Sequence, residues 1–139
     1  MRQRIIGQVD GFDLSTGLAQ IEVFTALEAI TEGDAVYVNS SGRIGRALAN
    51  ASSTMHAIGV AAEAIASLGA GRVVTHGPKR TDNYDASGRL GLFAWVSPTT
   101  AGGVTGVPPT SSGQIRQQVG VWRERRLLYV SLGGASQVG

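Results

Sequence analysis

Apolar residues in this chain fall in short runs separated by turn chemistry, not in long helical stripes. Ala35-Val36-Tyr37-Val38 is rich in strand-forming residues, with Glu32-Gly33-Asp34 before it and Asn39-Ser40-Ser41-Gly42 after it. This pattern predicts a strand ending in a tight turn. Arg43-Ile44-Gly45-Arg46-Ala47 then alternates as a half-exposed return strand would, completing a hairpin. Upstream, IEVFTALEAI opens with β-branched and aromatic residues and continues with helix formers, and a strand over 21–26 is favoured. His56-Ala57-Ile58-Gly59-Val60-Ala61 reads as a buried strand, which Glu63-Ala64-Ile65-Ala66 either continues or follows with one helical turn. Arg72-Val73-Val74-Thr75-His76-Gly77 predicts another strand, ending at Pro78, and the polar stretch 79–88 predicts an exposed loop.

The second half replays the first. Gly91-Leu92-Phe93-Ala94-Trp95-Val96-Ser97 echoes Gly33 to Asn39 at an offset of 58 residues, Gln118-Val119-Gly120-Val121 echoes Ala57 to Val60 at 61, and Leu128-Tyr129-Val130 echoes Arg72 to Val74 at 56. Drift of this size fits loop-length changes between two copies of one β unit. Two such units packed together predict an all-β domain, a compact barrel or sandwich of short strands. The expected organisation is an N-terminal arm over 1–20, a β domain over 21–133 and a C-terminal tail over 134–139. Arg2, Arg4, Ile5, Ile6, Val9, Phe12 and Leu14 supply the arm's basic and apolar anchors. Such a segment is either an extended arm that adds a strand to another chain or a weakly held terminus.

Composition sharpens this reading. The 20 glycines among 139 residues suit many turns and disfavour helix interiors. Twelve basic and ten acidic residues nearly cancel, so the net charge of +2 does not mark a nucleic-acid surface. The charges are nonetheless segregated: Asp10, Asp13, Glu22, Glu28, Glu32 and Asp34 precede Gly42, whereas most basic residues follow it. The chain has no cysteine, and neither an apolar signal-peptide core nor a membrane-length run is present. No membrane partner is expected.

Candidate chemistry is sparse. His56 and His76 are the chain's two histidines, and pairing them on a metal would require a third ligand such as Glu63. Serines and threonines lack a nucleophile-elbow context. Gly69-Ala70-Gly71 is half of a dinucleotide fingerprint without its helix, and Asp82, Asn83 and Asp85 lack the calcium-loop pattern. Arg123-Glu124-Arg125-Arg126 sits between two apolar runs, as the charged tip of a hairpin would. No catalytic, cofactor-binding or metal residue is expected, and no small-molecule ligand.

The order GDAVYVNSSGRIGRA, MHAIGVAAEAI, GRVVTHG and SPTTAGGVTGVPPTSSGQIRQQVGVW resembles the capsid decoration, or head-stabilising, proteins of tailed bacteriophages and prophages over residues 25–133. That resemblance implies a non-enzymatic β-rich homotrimer, made in the host cytoplasm. It would sit on the outer capsid surface of the virion, bridge major capsid protein subunits and use its arm in attachment. The alternative it allows is a head-fibre or tail-associated module that binds a host surface or glycan through exposed aromatics such as Tyr84 and Trp95.

Overall fold

The computed structural model describes residues 19–139. Among them are ten strands: β1 Gln20–Thr25, β2 Ala35–Val38, β3 Ile44–Arg46, β4 Ala57–Ala61, β5 Ala70–Arg80, β6 Phe93–Val96, β7 Val104–Thr105, β8 Ile115–Glu124, β9 Leu127–Val130 and β10 Ala135–Gln137. All pair antiparallel in one sheet, in the order β3-β2-β4-β5-β9-β8-β6-β7, with β1 against β5 and β10 against β8. The sheet curls into a half-barrel. The domain is all-β, as the short apolar runs predict.

The strand order shows the internal repeat. Read outward from the middle, β5-β4-β2-β3 and β9-β8-β6-β7 are the same path. Register fixes the equivalences residue by residue. Ala35 pairs Val60 and Val36 pairs Gly59, then a bulge intervenes before Tyr37 pairs Ala57. Phe93 pairs Val121 and Ala94 pairs Gly120, then a bulge at the same place precedes Trp95 pairing Gln118. The turns match as well. Thr31 O accepts from Asp34 N at 3.0 Å, and Arg89 O accepts from Leu92 N at 3.0 Å. Gly33 and Gly91 hold φ of +90° and +82° in those turns, which a type II turn requires at its third residue.

The repeat also reaches further than the sequence suggests. β1 pairs the first half of β5 with Ile21 opposite Val74, and the second half of β5 pairs β9 with Pro78 opposite Tyr129. Since Val60 pairs Val74 and Val121 pairs Tyr129, the second half of β5 stands to unit two as β1 stands to unit one. β5 is therefore one continuous strand that closes unit one and opens unit two. The offset between β5 and β9 is 55 residues, with Val73 and Val74 matching Leu128 and Tyr129. The expected 56 is one residue out, because apolar identity alone does not fix the pleat of a run of valines and leucines.

Four further expectations are corrected. β5 does not stop at Pro78 but runs to Arg80; among the described residues its second half pairs only with β9, and an edge tolerates a residue without an N–H. The stretch 79–88 is not simply exposed, since Lys79, Thr81, Tyr84 and Ala86 are buried. Residues 63–66 are neither strand nor helix; Ile65 makes an isolated bridge to Ile30. The expected tail contains β10, which pairs with β8.

Two apolar clusters hold the sheet. The smaller lies within unit one and includes Ala26, Ile30, Val36, Ile44, Ala61, Ile65 and Val73. The larger joins the units: Ala35, Ala47, Val60 and Val74 of unit one lie with Ala94, Val96, Trp122 and Leu128 of unit two. Gln117, 4% exposed, ties them by a side-chain amide used as a backbone surrogate. Its Oε1 accepts from Ala57 N at 2.8 Å and its Nε2 donates to Ala57 O at 3.0 Å. Gln117→Leu strips both partners from a buried peptide group, and we expect a loss of about 2–3 kcal/mol in urea unfolding. A change under about 0.5 kcal/mol would show that water replaces the amide.

Candidate functional site

The repeat provides an internal comparison of the two units' surfaces. In unit one, Ala47, Ala35, Val60 and Val74 form a cross-strand row: Ala47 N donates to Ala35 O, Ala35 pairs Val60, and Val60 pairs Val74. Directly opposed residues share a face, and all four are fully buried. Unit two's Ala94, Val96, Trp122 and Leu128 share the apolar cluster of this row, and unit two's loop inserts the Gly102 peptide at the end of the β2–β3 ladder. Ala35 N donates to Gly102 O at 2.8 Å and Gly102 N donates to Ala47 O at 2.8 Å. Gly102 itself lies so close to Asp34 that a Cβ there would come within 2.5 Å of Asp34 Cγ. Burial holds the Asp34 carboxyl above the usual carboxylate range, against the hydrogen bond it accepts from Thr31 N.

The counterpart row of unit two is Phe93, Val121 and Tyr129, with Phe93 opposite Val121 and Val121 opposite Tyr129. Val107, the counterpart of Ala47 by offset, does not continue the β6–β7 ladder: β7 ends at Thr105 and the Val107 N–H donates to the Thr105 hydroxyl at 3.2 Å. Here the row faces outward: Phe93 is 51% exposed, and Val121 and Tyr129 are half-buried. At its edge, Leu90 and Leu92 are also exposed, where unit one has Glu32 and Asp34. Trp95 packs edge-on against Phe93 at 6.1 Å, His76 packs edge-on against Tyr129 at 5.6 Å, and the Arg123 guanidinium lies 4.4 Å from the Tyr129 ring centre. An exposed row of large apolar side chains rimmed by charge is the usual mark of a contact surface. A second open feature is β1, which among the described residues pairs with β5 alone and carries exposed Ile21 and Val23.

The residues singled out in the sequence are distributed otherwise. Arg2, Arg4, Ile5, Ile6, Val9, Phe12 and Leu14 lie outside the described residues. His56 and His76 are exposed. Glu63 is held by Arg72, whose side-chain hydrogen bond lowers the carboxyl's pKa. Among the described residues no three His, Cys, Asp or Glu side chains converge as a metal site. Asp85 is engaged by the Ser87 hydroxyl at 2.7 Å, the main cause of its lowered pKa, and by Arg125.

The tip of the β8–β9 hairpin bears the expected charges, but they are satisfied within the molecule. Arg125 meets Asp85, Glu124 meets Arg80, and Arg126 donates to Asp82 O and Tyr84 O. Tyr84 is not an exposed aromatic: it is 5% exposed, donates to Gly33 O at 2.8 Å and packs edge-on against Trp122. Burial pushes its phenol pKa well up.

One shallow polar cleft of about 470 Å³ is lined by Asp85, Arg89, Ser97, Thr99, Thr105 and Trp122, among others. Ser97 Oγ accepts from Thr99 N and Thr100 N, so the hydroxyl serves a turn. The outward row escaped the sequence reading because Phe93 looks like a core residue in a strand pattern. The signal that finds it is the substitution of Phe for Ala at the position 58 residues after Ala35, and it becomes readable once the register is known. Compared with known proteins, the chain matches no family model, no curated protein and no solved structure.

Proposed function

We propose that this protein is a non-enzymatic virion structural protein that decorates the outer capsid of a tailed bacteriophage as a homotrimer and stabilises the shell by bridging major capsid protein subunits. The observation that carries the reading is the outward row of unit two, a broad apolar surface on a rigid sheet. It offers area for macromolecular contact. The order of motifs along the sequence supports the same reading, and so does the open edge of β1, which continues directly from the basic and apolar arm. A small subunit repeated over a lattice stabilises it through many modest contacts, each made effectively intramolecular by its neighbours.

The experiment is cryo-electron microscopy of virions with and without this chain. Density on the outer lattice that vanishes on deletion, together with shells that rupture at lower stress, is the expected result. Density confined to a fibre or tail would overturn it in favour of host-surface binding.

A further inference from the structure

The polar cleft beside Arg89 and Trp122 holds two hydrogen-bonding groups that the fold leaves unused. The first is the indole N–H of Trp122. This side chain is 3% exposed, and its Nε1 is buried without an acceptor among the described residues. Buried polar groups are almost always paired, because a donor taken from water and given nothing in return destabilises the fold. The backbone there is satisfied, Trp122 N donating to Leu92 O and Trp122 O accepting from Gly91 N, so the deficit is confined to the indole. The second group is the Arg89 guanidinium, which, unlike those of Arg72, Arg80, Arg125 and Arg126, makes no ion pair among the described residues. Its stem lies along Gly106, where a Cβ would come within 2.7 Å of Arg89 Cδ. Asp85 lines the same cleft, but its carboxylate is engaged by Ser87 and Arg125, both at Oδ1.

The cleft continues into a second depression of about 320 Å³, with which it shares Ser97, Thr99 and Thr105. The far wall is apolar: Val107, which is 50% exposed, Pro108 and Pro109. One end of the groove therefore offers donors and a carboxylate acceptor, and the other offers hydrocarbon. That combination matches a molecule carrying hydroxyls on a C–H framework. We infer that the groove binds a short saccharide. One sugar unit lies in the cleft, its hydroxyl oxygens accepting from Trp122 Nε1–H and Arg89 and a hydroxyl proton donated to Asp85 Oδ2. The next unit lays its C–H face on Val107 and Pro108. An inorganic anion would be repelled by Asp85 and would make no use of the apolar wall. A purely apolar ligand would leave both donors unpaired. No local motif announces the site, because its parts come from residues 85–89, 97–109 and 122. The inference goes beyond the capsid reading and stands on the cleft alone, apart from the outward row.

The test uses the two tryptophans of the full chain, whose indole N–H groups give separate signals in a proton–nitrogen NMR spectrum; Trp95→Phe assigns them. The protein is titrated with glucose, galactose, mannose, N-acetylglucosamine and glucuronate, each as monomer and as short oligomer, and with inorganic phosphate. We expect the Trp122 indole signal to move saturably with at least one sugar, at a Kd of about 1 mM or tighter, while that of Trp95 stays put. The oligomer of that sugar should bind more tightly than the monomer. Arg89→Ala should weaken binding about tenfold, as loss of a charge-assisted hydrogen bond does. Arg89 is exposed, and thermal unfolding checks the variant; Gly106→Val, which pushes the guanidinium off its wall, serves as the second. Failure of every sugar to saturate, a response to phosphate alone, or binding indifferent to both variants would each overturn the inference.

Discussion

Gly120→Ala is expected to cost about 3–5 kcal/mol, enough to abolish folding in a domain of ordinary stability. A Cβ on Gly120 would stand 2.0 Å from the carbonyl oxygen of Tyr129 on the neighbouring strand, and that oxygen belongs to backbone held in the ladder. The strands must part or twist, and the adjacent bulge that sets Trp95 against Gln118 goes with them. Gly59 is in the same position in unit one, with a Cβ 2.2 Å from Val74 O, so Gly59→Ala should behave alike. Gly134, which has nothing within 4 Å, provides the control, since Gly134→Ala should change stability by less than about 0.5 kcal/mol. Urea unfolding of the three variants decides the matter; equal midpoints would mean that the sheet absorbs a methyl group at its closest approach.

The second large effect is at Lys79. Its side chain is 4% exposed, and its ammonium lies 2.6 Å from Glu32 Oε2 and 3.0 Å from Ala62 O. Glu32 reaches back from the turn of unit one to the half of β5 that opens unit two, and it also accepts from the Thr81 hydroxyl at 3.2 Å. Glu32→Ala leaves a buried ammonium with one carbonyl for company. The usual cost of breaking a buried pair is about 3–5 kcal/mol. With the carboxylate side chain 40% exposed, solvent screening reduces the expectation to about 2–3 kcal/mol. Lys79→Met removes the charge along with its need for a partner and should cost about 1 kcal/mol or less. The double variant should match Lys79→Met alone, and a double-mutant cycle by chemical denaturation measures the difference. Were Glu32→Ala the milder of the two single changes, the ion pair would contribute no more than a surface pair does.

How much of this was legible in the sequence depends on whether local chemistry or distant pairing fixed each element. The β2–β3 hairpin was readable in full. Asn39 Oδ1 accepts from Ser41 N and Arg43 N at 2.9 Å each, and Gly42 takes the left-handed conformation, so the turn is encoded by the residues that form it. The repeat was readable from apolar runs at similar offsets, but its bulges and the exact register of β9 came only with the pairing. The burial of Tyr84 and Lys79 was not, because both answer to residues about fifty positions away: Tyr84 to Gly33 O and Lys79 to Glu32. The surrounding Asp82, Asn83, Asp85 and Ser87 have the composition of a solvated loop. The candidate surface was hidden for the opposite reason. Phe93 has every local property of a core residue, and it is its place in the second copy of a row, uncovered among the described residues, that turns it outward.

The strand shared by the two units has a mechanical consequence. Most tandem folds are joined by a linker, which permits a hinge and limited proteolysis into halves. Here the junction at His76-Gly77 lies inside an eleven-residue strand hydrogen-bonded along its length to β1, β4 and β9. Reorienting one unit against the other would require bending a paired strand, so the open edge of β1 and the outward row of unit two are held at a fixed spacing and angle. The shared strand makes the two units a single stiff body.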